Sequence, residues 1–163
     1  MLPRICLSMQ RFLLSAWVGA AVLFVITSVA EQQFEGFASS IKNQLALIRF
    51  PLYYGFGFVV LGTSLLCGAG RIIKGERGPS TVTVFVLLVL ANLLMAYDFQ
   101  FVYRPLADIM VDLLRPRDDE FTKYHQMSKY INAVGILLTM IAAVLVCREG
   151  ATRKKIEPSH DDT

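Results

Sequence analysis

Residues 78–97 read GPSTVTVFVLLVLANLLMAY, a run of 20 residues without a charge, with Arg77 before it and Asp98 after it. A helix rises about 1.5 Å per residue, so this run covers roughly 30 Å. That is about the thickness of the hydrocarbon core of a bilayer. A helix on a soluble domain carries charge on its outer face every turn or two; here Asn92 is the only strongly polar side chain deep in the run. In lipid every backbone N–H and C=O must be paired within the segment, and a lone segment manages this only as a helix. The stretch therefore reads as a transmembrane helix.

Working outward, three more runs have the same character: Phe12 to Ala30, Phe50 to Gly70 and Tyr130 to Cys147. Each is bounded by charge, and each is long enough to cross once. The chain has 163 residues, is 55% apolar, and keeps all its charge outside these four runs. That partition excludes an ordinary soluble domain and a disordered chain. Alternating strands of a β-barrel are not visible. The predicted fold is all-α: a polytopic membrane protein, a four-transmembrane-helix bundle occupying residues 1–147. A polar tail, 148–163, follows. The first run has a rival reading, since Arg4, Arg11 and Ser28-Val29-Ala30 also fit a secretory signal. The run is longer than the apolar region of most signals, so it is read as span one.

Charge predicts sidedness. The N-terminus, the 71–77 loop and the tail share one side, with nine Lys/Arg against five acids. The other side, loops 31–49 and 98–129, has seven Lys/Arg against eight acids. The positive-inside rule then puts both termini in the cytoplasm, with the cell (inner) membrane as the expected location. The net charge of +3 reflects this orientation and contact with anionic lipid. No nucleic-acid partner is expected. The expected partners are the lipid bilayer and either a second copy or another protein of a membrane complex. Cys6, Cys67 and Cys147 all fall near the cytoplasmic side and are expected to stay thiols.

Between spans three and four, Pro105 to Arg115 reads as a short amphipathic helix. Leu106, Ile109, Met110 and Leu113 recur at helical spacing opposite Asp108 and Asp112. It is expected either to lie on the outer membrane surface or to pack on the top of the bundle. Asp118 or Asp119 can cap the fourth helix ahead of its uncharged run.

The candidate site is a polar cluster. His125, Ser128, Asn132, Gly135 and Thr139 fall in one stripe roughly 80° wide on helix four. Such a stripe faces the bundle or water. All six tyrosines belong to the outer side, including Tyr54 and Tyr97, and Glu31 and Asp98 end spans one and three at the same level. Asp98 beside His125 would make a pH-responsive carboxylate–imidazole pair. Interhelical hydrogen bonding selects the same residue types, at roughly 0.6 kcal/mol a pair. Catalytic templates are missing: no GxSxG, HExxH or phosphate-binding loop occurs. With two histidines, one in the tail, a bis-His haem within one chain is excluded, and no cofactor or metal is assigned. The expectation is a non-enzymatic bundle with a structural, assembly or small-ligand role. The alternative is a membrane subunit of a redox or transport complex, with His125 as single ligand or proton relay.

Short motifs at both ends of the chain carry a family resemblance. They are Arg11-Phe12 with Trp17-Val18-Gly19, Val29-Ala30 followed by Phe34, and Phe121 followed by His125-Gln126-Met127-Ser128 and Asn132. Together they resemble the transmembrane protein 205-like group of four-helix membrane proteins. The chain departs from that group at Glu31, where members often carry proline. The resemblance implies the architecture and assigns no residue a role.

Overall fold

The structure is a computed structural model that describes residues 2–112 and 118–154, with side chains described as far as residue 149. Helix α1 is Leu2–Gln33, α2 is Ser39–Ile73 and α3 is Pro79–Tyr97. A π-helical segment, Asp98–Tyr103, carries α3 without a break into α4, Arg104–Val111. The last helix, α5, is Asp119–Lys154. Four helical runs are long and apolar enough to cross a membrane: Leu2–Gln33, Ser39–Ile73, Pro79–Val111 and Asp119–Glu149. The chain is an all-α, multi-pass membrane protein.

Each spanning helix packs on two others. The α1 helix touches α2 and α5, and α3 touches α2 and α5, which closes a ring of four. The contacts follow the 3–4 spacing of a helix face. On α1 the buried residues are Gln10, Leu14, Trp17 and Ala21; on α3 they are Thr81, Val84, Leu88, Ala91 and Met95. Large apolar side chains on the opposite faces, such as Leu23, Leu66 and Leu93, are more than 60% exposed, as lipid-facing residues must be.

Helix approach is closest at Gly57. A Cβ there would lie 2.6 Å from Met95 and 2.7 Å from Trp17, so glycine admits α1 and α3 side chains against the α2 backbone. Of the small-residue pairs at four-residue spacing, Ser64 and Gly68 are buried, whereas Ser15 and Gly19 face outward. The α2–α3 turn is a Schellman motif. Gly75 has φ of 92°, its N–H donates to Ile72 O, and the Glu76 N–H donates to Arg71 O. Glycine is the residue that takes this left-handed conformation without a steric penalty. At the start of α5 the Phe121 N–H donates to Asp118 Oδ1 at 2.9 Å, so Asp118 is the cap.

The helices extend beyond the uncharged runs. The stretch 31–49, read as a loop, is helical except for residues 34–38, and α5 continues past Cys147. Charge marks where hydrocarbon ends, whereas a helix persists into water wherever its charged side chains can be solvated. Pro51 lies inside α2; it donates no backbone bond, a loss membrane helices tolerate when neighbours pack around it.

Of the two places expected for the short helix after span three, it takes the second and packs on the bundle. It does not start afresh at Pro105; it continues α3 through the π segment. Leu106, Ile109 and Met110 turn inward against α2 and α5, and Asp108 and Asp112 are exposed. Pro105 supplies no N–H, so the α-type bond to the carbonyl four residues earlier is lost. The Arg104 N–H reaches Phe99 O instead, one residue further than in an α-helix. Leu113 and Pro116 lie outside the described residues.

Candidate functional site

Asp98 continues the buried face of α3, three residues after Met95 and seven after Ala91, and so enters the bundle where the π segment begins. Asp98 is 1% exposed. Three donors converge on its Oδ2: the Tyr54 hydroxyl at 2.5 Å, the Ser128 hydroxyl at 3.1 Å and the Asn132 amide at 2.5 Å. The Asn132 carbonyl oxygen in turn accepts from the Tyr53 hydroxyl at 3.1 Å. Helices α2 and α5 are thus both tied to Asp98. A carboxyl group in a membrane interior is costly unless it is hydrogen-bonded, and the three donors meet that cost on one oxygen. The other oxygen, Oδ1, is buried and accepts no bond from the described residues.

An aromatic cluster surrounds this group. Tyr54 packs at 5.1 Å from Tyr103 and 5.2 Å from Phe99, and Phe50 stacks on Tyr103 at 5.5 Å. Trp17 lies 5.1 Å from Tyr53. Tyr54 and Tyr103 are therefore core residues, held through their ring faces, with the Tyr54 hydroxyl spent on Asp98.

Of the seven residues singled out from sequence, the structure brings four together: Asp98, Tyr54, Ser128 and Asn132. Three lie apart. Tyr97 is 48% exposed and packs on Phe101. Glu31 pairs with Arg49, whose guanidinium also meets Thr27 and lies 5.0 Å from the Phe24 ring centroid. His125 is half-buried, one turn beyond Ser128, and stacks on Phe121 at 5.8 Å. The donors to Asp98 are Tyr54, Ser128 and Asn132, so the expected carboxylate–imidazole pair does not form. Gly135 lines a cavity beside Asp98, whereas Thr139 bonds only to carbonyls of its own helix.

A second polar centre, unread from sequence, sits at the opposite end of the bundle. Arg71 is 3% exposed. Its guanidinium donates to Glu76 at 2.9 Å, Gln10 at 2.8 Å, Thr81 at 3.3 Å and Glu149 at 2.5 Å. Gln10 also donates to Ser64 O at 3.0 Å. One planar group with five donors thus joins α1, α2, α3 and α5. Arg71, Glu76 and Glu149 border uncharged runs and looked like ordinary boundary charges. Gln10 was the one clue, an amide placed in register with Leu14 and Trp17.

Among the described residues, no three His, Cys, Asp or Glu side chains group so as to hold a metal ion. The chemistry on offer is hydrogen bonding around one buried carboxyl group and one buried guanidinium. No protein-family model, curated protein or solved structure matches this chain.

Proposed function

We propose that this protein is a non-enzymatic membrane scaffold, whose work is done by a bundle of fixed shape presented to a second copy or to another membrane protein. The observation that carries this reading is how the interior polar groups are used. Arg71 binds a side chain from each of the other three spanning helices and Glu76 of the α2–α3 turn, and Asp98 collects donors from two helices. The cavity beside Asp98 has a volume of about 10 Å³, far too little for a haem or a quinone. Such an interior holds helices in register.

Both termini face the cytoplasm in this reading, and the Lys/Arg excess on their side supports it. Membership of the transmembrane protein 205-like group is proposed with it. Three residues that carry the resemblance, Trp17, Ser128 and Asn132, line the cavity or bond Asp98.

Native mass spectrometry after release in mild detergent tests the scaffold. The expected species exceeds the 18.2 kDa of one chain by a defined polypeptide, a copy or a partner, and carries no chromophore. A single chain with a Soret absorbance that His125→Ala removes would overturn the proposal in favour of a redox subunit.

A further inference from the structure

Beside Asp98 is a small cavity where the helices meet. Trp17 of α1, Tyr53 of α2, Asp98, and Asn132 and Gly135 of α5 line it, with Ala91 of α3. Two polar atoms of these lining residues are buried with no hydrogen-bonding partner among the described residues: Asp98 Oδ1 and Trp17 Nε1. The parent side chains are 1% and 2% exposed. Two unsatisfied groups on one cavity need a common explanation, because buried polar groups in folded proteins are paired.

We propose that this cavity is a binding site for a single water molecule bridging Asp98 Oδ1 and the Trp17 indole N–H. The chemistry of the two groups selects the ligand. An indole N–H only donates, and Asp98 Oδ1 is free to accept. The bridging molecule must accept from one and donate to the other, which a metal cation cannot do. An anion is opposed by the carboxyl oxygen, and an apolar guest satisfies neither group. Size agrees: a cavity volume of about 10 Å³ is at the lower limit for one water. Buried waters make about three hydrogen bonds, and the Tyr53 and Asn132 side chains line the same space to offer the third. Among the described residues, α1 has no direct hydrogen bond to the Asp98 cluster. The water supplies that link and extends the chain Tyr53–Asn132–Asp98 to the first helix.

Trp17 is the only tryptophan of the sequence, so one indole signal reports the site. The full chain, labelled with ¹⁵N on the indole nitrogen and held in phosphatidylcholine–phosphatidylglycerol nanodiscs, gives one indole N–H resonance. The expected result is a dipolar cross-peak from that proton to the water frequency, with the sign of a long-lived water. Asp98→Leu should abolish it. If Asp98→Leu fails to fold, Ala91→Val serves, because Ala91 lines the cavity and is 2% exposed. The added methyl groups should take the cavity below the size of a water, with loss of the cross-peak and retention of the helical circular dichroism. No cross-peak in the wild type would overturn the proposal, whether the indole proton shows a direct bond to Asp98 or none. A cross-peak unchanged in the folded variant would overturn it too.

Discussion

Asp98 concentrates three donors on one oxygen, so its removal strands Tyr54, Ser128 and Asn132 together. An unsatisfied buried donor costs about 1–3 kcal/mol. Asp98→Ala should therefore destabilise the bundle by about 3 kcal/mol or more, read as a lowered thermal midpoint by circular dichroism in detergent. His125→Ala should stay within about 1 kcal/mol, because its ring stacks on Phe121 and is only half-buried. Equal losses in the two variants would show that the imidazole belongs to the polar centre as much as the carboxyl group does. At the other end, Arg71→Met takes the guanidinium away from Glu149 Oε2 and from the Gln10 carbonyl oxygen. Breaking a buried ion pair costs about 3–5 kcal/mol, and Arg71→Lys should recover little of it. A lysine offers three donors from one point, and four acceptors surround a planar group here. Full rescue by lysine would mean that charge alone matters at this position.

At the level of elements, the tightest constraint is between α2 and its neighbours. Gly57→Ala places a methyl 2.6 Å from Met95 and 2.7 Å from Trp17. The methionine can swing away but the indole cannot, so a loss of about 1–3 kcal/mol is expected. Gly19→Ala is the control, since nothing lies within 4 Å of its Cβ; it should be neutral in the same thermal melts. A Gly57→Ala protein as stable as wild type would mean that α1 and α2 are further apart than described. The π segment is the other element with a consequence. By lengthening one turn it turns Asp98, Val102 and Tyr103 all inward, a set that regular α-helical spacing does not put on one face.

For the whole molecule, the expected topology has both termini on one side. Reporter fusions after Thr163 and at Gly36 should give opposite sides, the former cytoplasmic. An external carboxyl terminus would reverse the assignment. Intact mass of the mature protein should retain α1. Cleavage after Ala30 would remove Gln10, Leu14, Trp17 and Ala21, the whole buried face of that helix, and open both polar centres at once.

The alternation of charge and apolar runs was enough to determine a four-span helical bundle, because hydrocarbon excludes charge and forces each span to pair its own backbone. The stripe on α5 was legible for the same reason: polar residues at helical spacing in a membrane helix turn from lipid, and Ser128 and Asn132 do. What a polar group turns toward depends on partners far along the chain. Asp98 looked like the boundary of span three, and only the approach of α2 and α5 makes it a core residue bonded to Tyr54, Ser128 and Asn132. Arg71, Gln10 and Glu149 were equally illegible, since a charge at the end of an apolar run reads the same whether it meets water or a carboxylate from another helix. Helix length and lipid contact are local properties of each run. Which donor meets which acceptor follows from helix rotation and register, and these were decided when the four helices packed.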